Sequence, residues 1–134
     1  MLKWAETIAR QIVERRPDKK EYVCAAGISP SGSIHIGNFR DIATSYFVVQ
    51  ALRELGKEAR LLFSWDEYDR LRKVPVNVSR VREDMEQYIG MPYIDVPTPF
   101  VDDPEAKNYA EYFEREFMRS IGNFRIDMDY RYQA

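Results

Sequence analysis

One stretch near the N-terminus constrains the fold most strongly: an apolar run, a loop of small residues, and a long amphipathic segment. The run is Tyr22–Ala26, the loop is Gly27–Ser33, and apolar residues then recur every three or four positions as far as Leu55. This order predicts a strand, a tight loop and a helix that begins at Ile34 or His35. A helix N-terminus has unpaired N–H groups and about half a positive charge, so the arrangement suits a phosphate.

A second apolar run, Ala59–Trp65, predicts a second strand and completes a βαβ unit with parallel strands and a right-handed crossover. The first run shows no alternation, which predicts a strand covered on both faces. Periodicity predicts further helices over 2–16, 81–89 and Tyr109–Ile121, a third strand over Ile126–Tyr132, and irregular loops over 66–78 and 91–104. We therefore expect an α/β fold in which helices flank a parallel sheet.

The composition excludes several classes of protein. Apolar residues make up 45% and charged residues 31% of the 134, which is typical of a single folded domain and not of a disordered chain. A net charge of −2 argues against a strongly basic nucleic-acid module, and no apolar run reaches the roughly 20 residues of a membrane span. The lone Cys24 cannot form an internal disulfide and is expected to be a buried thiol. These features favour the cytoplasm.

His35, the only histidine of the chain, lies where the long helix is predicted to begin. Asn38 follows three residues later and would share its face of the helix. Gly37 has no Cβ, so a flat ring could pack against the backbone there. Two polar side chains at this helix terminus could hold a phosphate chain. Alternatively, His35 only caps the helix.

The segment Ser31–Asn38 reads Ser-Gly-Ser-Ile-His-Ile-Gly-Asn. It resembles the His-Ile-Gly-His ATP-binding signature of class I aminoacyl-tRNA synthetases, with Asn38 in the fourth position. Asparagine there is characteristic of the class I lysyl-tRNA synthetases of archaea and some bacteria. Other stretches similar to that family are Trp4-Ala5, Gly27–Ser33, Phe63–Asp66, Tyr68–Arg70, Arg72–Pro75 and Ile89–Tyr93.

The resemblance implies a Rossmann-like catalytic domain, of which residues 1–134 would be the N-terminal half, with no second domain present. It implies a lysine–tRNA ligase that forms lysyl-adenylate from lysine and ATP, with Mg²⁺ accompanying ATP, and transfers the lysyl group to tRNA(Lys). His35 and Asn38 would be the catalytic residues, acting as hydrogen-bond donors to the phosphates. The implied ATP site comprises Ser31, Gly32, His35, Gly37 and Asn38. The implied lysine site comprises Gly27, Ser29, Trp65 and Asp66.

Asp66 follows the second strand, where it would hold a lysine ammonium group or a ribose hydroxyl, or else cap a turn. A basic cluster lies beside it and consists of Arg70, Arg72 and Lys73. These side chains contact either the ATP phosphates or the tRNA acceptor end. Alternatively, they form a solvated face paired with nearby acidic residues. Tyr68 and Asp69 are weaker candidates for the same site, and a solvated surface position is the better interpretation for both.

Two departures from the family pattern matter. Some members carry cysteine and histidine residues, apparently metal ligands, in the region equivalent to 99–113, where this chain has neither, so no zinc is expected. The lysine-containing second ATP signature is also absent. An alternative function is therefore an ATP- or lysine-binding module without aminoacylation activity, and a third is a small nucleotidyltransferase of the same superfamily. We expect no membrane partner, and expect a second copy or a missing C-terminal half to cover the open sheet edge.

Overall fold

The helices and strands follow the order expected from the sequence. A computed structural model describes residues 2–134, and Met1 lies outside the described residues. The elements are α1 (Lys3–Arg15), β1 (Tyr22–Ile28), α2 (Ile36–Glu54), β2 (Ala59–Trp65), α3 (Val76–Ser79), α4 (Tyr109–Ile121) and β3 (Asp129–Tyr132), with 3₁₀ turns at Glu83–Tyr88, Tyr93–Asp95 and Gly122–Phe124. The predicted bounds of α4 are confirmed, whereas β3 is shorter than predicted and the segment 81–89 forms a 3₁₀ turn. The segments 66–78 and 91–104 are not wholly irregular, because α3 begins at the end of the first and a 3₁₀ turn lies in the second.

The sheet has three strands in the order β1-β2-β3. At the start of the first pair, the Tyr22 N–H donates to the Glu58 carbonyl at 2.9 Å. At its end, the Asp66 N–H donates to the Ile28 carbonyl at 3.0 Å. Both strands therefore run in the same direction with α2 between them, which confirms the predicted βαβ unit and the α/β class.

The prediction that both faces of β1 are covered is wrong. Burial alternates along β1, and Val23 is 42% exposed. The strand lies at one edge of the described sheet, and the pattern is that of a strand with one covered face. Cys24 is accordingly half-buried, and burial still raises the pKa of its thiol.

The chain divides into two compact units. The first comprises the residues up to Gly27 together with 35–64 and 126–131. Its core includes Ala5, Ala9, Ile42, Val49, Leu52, Leu61 and Phe63. Helix α1 ends just before Pro17, which disfavours helical geometry in the residue preceding it. Helix α2 is followed by Gly56, whose φ of +79° suits a residue without Cβ.

The second unit comprises residues 28–34, 65–125 and 132–134. Its core is rich in aromatic residues and includes Leu71, Val78, Met85, Tyr93, Val96, Tyr109 and Phe113. Helix α4 supplies much of this core and is capped by Asn108, whose side-chain oxygen accepts from the Glu111 N–H at 2.9 Å. Within residues 2–134, none of the helices has the length and apolar character needed to cross a membrane.

Candidate functional site

His35 is the N-cap of α2 and therefore lies just before the helix, not in its first turn. Its Nδ1 accepts from the Gly37 N–H at 3.1 Å. In return, the Asn38 side-chain oxygen accepts from the His35 N–H at 3.3 Å. These reciprocal bonds satisfy two backbone donors of the helix terminus, as in a capping box. The capping role that the sequence left open is thus present in the structure.

The capping bond determines what else His35 can do. Because Nδ1 accepts a hydrogen bond, the neutral imidazole carries its proton on Nε2, which is then a donor. The side-chain amide of Asn38 likewise keeps its N–H groups, because only its oxygen is used in the cap. Neither donor has an acceptor within residues 2–134, and His35 is exposed. The N-terminus of this 19-residue helix therefore presents two side-chain donors in addition to its dipole.

Gly37 provides room for the histidine ring. A Cβ at this position would lie 3.0 Å from the His35 Cε1 and 3.1 Å from its Nδ1, which is tighter than ordinary van der Waals contact. The flat ring against the Gly37 backbone is therefore the imidazole of His35. The role of Gly37 in adenine packing stays a prediction.

Gly27 has a packing role at the end of β1. A Cβ there would lie only 2.9 Å from the backbone oxygen of Ser64 on β2, so a larger residue would push the two strands apart. Its assignment to the lysine site stays a prediction.

In the second unit, the loop Ile28–Ile34 is fixed by specific hydrogen bonds. The Ser29 hydroxyl donates to the Asp69 Oδ2 at 2.8 Å, and the Ser31 N–H donates to the Ser29 carbonyl at 2.8 Å. The Tyr109 hydroxyl donates to the Ser31 carbonyl at 2.6 Å. A Cβ at Gly32 would lie 3.2 Å from the Pro75 side chain, so this glycine permits a close approach.

Asp69 is more than the solvated surface residue expected from the sequence. The hydrogen bond from Ser29, followed by that from the Arg70 N–H, lowers the pKa of its carboxyl. Arg72 approaches the same carboxylate at 3.4 Å, but this arginine side chain is 82% exposed. The Ser29–Asp69 bond spans 40 positions, so no local pattern could have revealed it.

The two residues at the end of β2 differ in accessibility. Trp65 is fully buried and packs edge-on against Phe117, with ring centroids 5.3 Å apart. Its large aromatic side chain thus fills the core at the end of β2, and its assignment to the lysine site stays a prediction. Asp66 is half-buried, and its carboxylate accepts no hydrogen bond within residues 2–134. Its backbone carbonyl closes a turn with the Asp69 N–H at 3.3 Å, so Asp66 is not a side-chain cap.

The basic cluster is only partly paired. Arg70, Arg72 and Lys73 are all exposed, and across the described part of the chain only Arg72 has an acidic partner, Asp69. The neighbouring Glu67 is 3% exposed and so belongs to the interior.

The structure places the candidate residues in two groups. Gly27, His35, Gly37 and Asn38 belong to the first unit, and Ser29, Ser31, Gly32, Trp65 and Asp66 belong to the second. Over residues 2–134, no group of three histidine, cysteine, aspartate or glutamate side chains could hold a metal ion.

Comparison with known proteins identifies the family. The model of the family described as tRNA synthetases class I (K) matches residues 2–134. The lysine–tRNA ligase of Treponema pallidum is 43% identical over 133 residues, which are 99% of this chain and 24% of that protein. The enzyme of the same name from Pyrococcus horikoshii is 42% identical over 134 residues, and that from Streptomyces coelicolor is 38% identical over 127. The P. horikoshii alignment covers 100% of this chain and 24% of the relative, and the S. coelicolor alignment covers 95% of this chain and 22% of the relative.

The match extends over nearly the whole chain and includes the strand, loop and helix that present His35 and Asn38. The chain spans about a quarter of the length of the relatives it matches. It belongs to the family of class I lysyl-tRNA synthetases.

Proposed function

We propose that this chain binds ATP and lysine and takes part in forming lysyl-adenylate, from which the lysyl group passes to tRNA(Lys). The observation that carries the proposal is the pair of unused donors at the N-terminus of α2. Because the His35 Nδ1 accepts from the Gly37 N–H, its Nε2–H stays available. Because only the Asn38 side-chain oxygen accepts from the His35 N–H, the amide N–H groups of Asn38 stay available as well. A polyphosphate is the ligand that such donors and a positive helix end suit best.

These donors fit the chemistry of adenylate formation. A lysine carboxylate oxygen attacks the α-phosphorus of ATP and forms a P–O bond, while the bond from that phosphorus to the departing pyrophosphate breaks. Negative charge shifts onto phosphate oxygens, so fixed N–H donors and a helix dipole stabilise the transition state without a proton-transfer base. His35 and Asn38 supply those donors.

The loop residues would divide between the two substrates. Ser31, Gly32 and Gly37 would contact ATP, and Gly27 and Ser29 would lie toward lysine. The half-buried Asp66 carboxylate has no partner within residues 2–134, so it can accept an ammonium group or a ribose hydroxyl. Trp65, which is fully buried, would support the lysine site from the core at the end of β2.

Magnesium would enter with ATP. Proteins usually hold Mg²⁺ through one or two carboxylates together with substrate phosphates. Throughout residues 2–134 there is no three-ligand cluster for a resident metal, so these residues do not form a protein-built metal site. We therefore treat Mg²⁺ as part of the substrate MgATP.

A second function has a specific observation in its favour. Since the chain spans only 24% of the T. pallidum and P. horikoshii relatives, residues 1–134 alone could bind ATP or lysine without completing aminoacylation. A small nucleotidyltransferase is less well supported, since the relatives named above are lysine–tRNA ligases. We expect a cytoplasmic protein that reaches tRNA(Lys) through further sequence, with a second copy or that further sequence covering the open edge of the sheet.

Lysine-dependent ATP–pyrophosphate exchange separates these functions. Exchange by the chain that is lost in His35→Ala would support adenylate formation. Saturable ATP binding without exchange would support the binding module. Absence of ATP binding would contradict both for this chain.

A further inference from the structure

Two side chains from elsewhere in the second unit hold the loop Ile28–Ile34 by hydrogen bonds, one at Ser29 and the other at Ser31. Asp69 accepts from the Ser29 hydroxyl at 2.8 Å, and the Tyr109 hydroxyl donates to the Ser31 carbonyl at 2.6 Å. The anchors come from distant positions in the chain, 40 and 78 residues away from the loop residues that they contact. The loop conformation is therefore fixed by tertiary contacts and not by its own sequence alone.

The two anchors are themselves connected. The Asp69 carbonyl accepts from the Tyr93 N–H at 2.9 Å. The Tyr93 ring stacks on the Tyr109 ring, with centroids 5.6 Å apart and an interplanar angle of 18°. Within the loop, the Ser31 N–H donates to the Ser29 carbonyl. The contacts thus form a closed circuit, and displacing either anchor would strain the other.

Both anchoring groups are suited to a rigid contact. Tyr109 is fully buried at the start of α4, and burial raises the pKa of its hydroxyl, so the group stays a donor over the working range of pH. The Asp69 carboxylate is ionised near neutral pH, because hydrogen bonds from Ser29 and then from the Arg70 N–H lower its pKa. A hydrogen bond to an ionised acceptor is stronger than one between neutral groups.

The circuit leaves part of the loop backbone unused. The Ser31 N–H is paired inside the loop, whereas the N–H groups of Gly32 and Ser33 donate to no acceptor within residues 2–134. A Cβ at Gly32 would lie 3.2 Å from the Pro75 side chain, so glycine fits this position of the loop best. Successive unpaired N–H groups in a fixed loop are a common way to bind anionic oxygens.

We propose that Tyr109 and Asp69 are positioning residues that hold the loop Ile28–Ile34 so that the Gly32 and Ser33 N–H groups face the phosphate oxygens of ATP. The proposal rests on the proposed function, because it takes ATP as the ligand. It adds residues that sequence reasoning did not assign to the site. Neither side chain needs to touch the nucleotide.

The test compares two tyrosines on the same helix. Tyr109→Phe removes the hydroxyl that holds the loop. Tyr112→Phe is the matched control, because Tyr112 is also buried, packs against Phe113, and donates its hydroxyl to Asp102 instead of to the loop. We expect Tyr109→Phe to weaken ATP binding by isothermal titration calorimetry about three- to tenfold, the range for one lost hydrogen bond. Tyr112→Phe should bind within twofold of the unmodified chain.

A second measurement follows the backbone amides of the loop in the absence of nucleotide. In ¹H–¹⁵N spectra, Tyr109→Phe should shift the amide signals of Ser31, Gly32 and Ser33, and these amides should exchange faster with solvent. Tyr112→Phe should leave them in place. Unchanged loop amides in Tyr109→Phe would overturn the positioning role, as would unchanged ATP affinity in a variant whose loop had moved.

The outcomes separate this proposal from the proposed function. If the unmodified chain fails to bind ATP, the proposed function fails, and with it the assignment of ATP as the ligand, whereas the amide spectra still decide whether Tyr109 holds the loop. If the unmodified chain binds ATP and Tyr109→Phe binds it equally well, only the positioning role fails. A Ser29→Ala variant removes the hydrogen bond to Asp69, the other anchor, and should shift the same loop amide signals.

Discussion

Substitution of His35 should separate its capping role from its proposed role in binding phosphate. His35→Ala removes both the acceptor for the Gly37 N–H and the Nε2–H donor. Losing a helix N-cap costs about 0.5–2 kcal/mol of stability. Losing a hydrogen bond to a charged phosphate costs about 1.5–3 kcal/mol, which corresponds to about 10- to 150-fold weaker ATP binding.

His35→Asn is the matched variant. Asparagine is a good N-cap, so its side-chain oxygen can replace Nδ1 as the acceptor, whereas its shorter side chain cannot place a donor where Nε2 lies. We expect urea unfolding to give His35→Asn nearly the stability of the unmodified chain, with His35→Ala clearly below both. ATP titration calorimetry should show weak binding by both variants. ATP affinity in His35→Asn within twofold of the unmodified chain would refute the phosphate role and leave His35 as a cap only.

Two further predictions concern packing and pH. Gly27→Ala places a Cβ 2.9 Å from the Ser64 carbonyl oxygen and should lower the free energy of unfolding in urea by about 1–3 kcal/mol. Gly122→Ala, whose Cβ would meet no atom of residues 2–134 within 4 Å, should cost less than half as much. Equal losses would contradict the close strand contact. Burial, and then the hydrogen bond with Glu67, raises the pKa of Glu114 from 4.5 to about 9, so its contribution to stability is complete below pH 4.5 and is lost as pH rises toward 9. Glu114→Gln should therefore gain stability relative to the unmodified chain between pH 5 and pH 8, and equal pH dependence of unfolding in the two proteins would contradict the raised pKa.

Features carried by local periodicity could be predicted from the sequence. Helix α4 has the predicted bounds because its buried residues recur at helical spacing and Asn108 caps its start. The βαβ unit was equally predictable, since a loop of small residues separates the first strand from a long helix. The exposed face of β1 was not predictable, because burial depends on which elements pack against the strand, and an apolar run fits one covered face as well as two.

The candidate site could be predicted only where its residues are close together in the sequence. The motif around His35 and Asn38 pointed to the helix terminus, but only the structure shows that Nδ1 is used in the cap, which fixes Nε2 as the donor. Tyr109 was missed and Asp69 was only a weaker candidate, because their contacts to the loop cross 78 and 40 positions. The burial of Trp65 could not be predicted either, because a residue at the end of a strand can face either the ligand edge or the core.

The most direct measurement compares ATP with adenosine as ligands of the unmodified chain. If the N-terminus of α2 binds the phosphate chain, ATP should bind at least tenfold more tightly than adenosine at the same ionic strength. The difference should shrink in His35→Ala. Equal affinity for the two ligands, or a preference for ATP that His35→Ala leaves unchanged, would contradict phosphate recognition at this helix terminus.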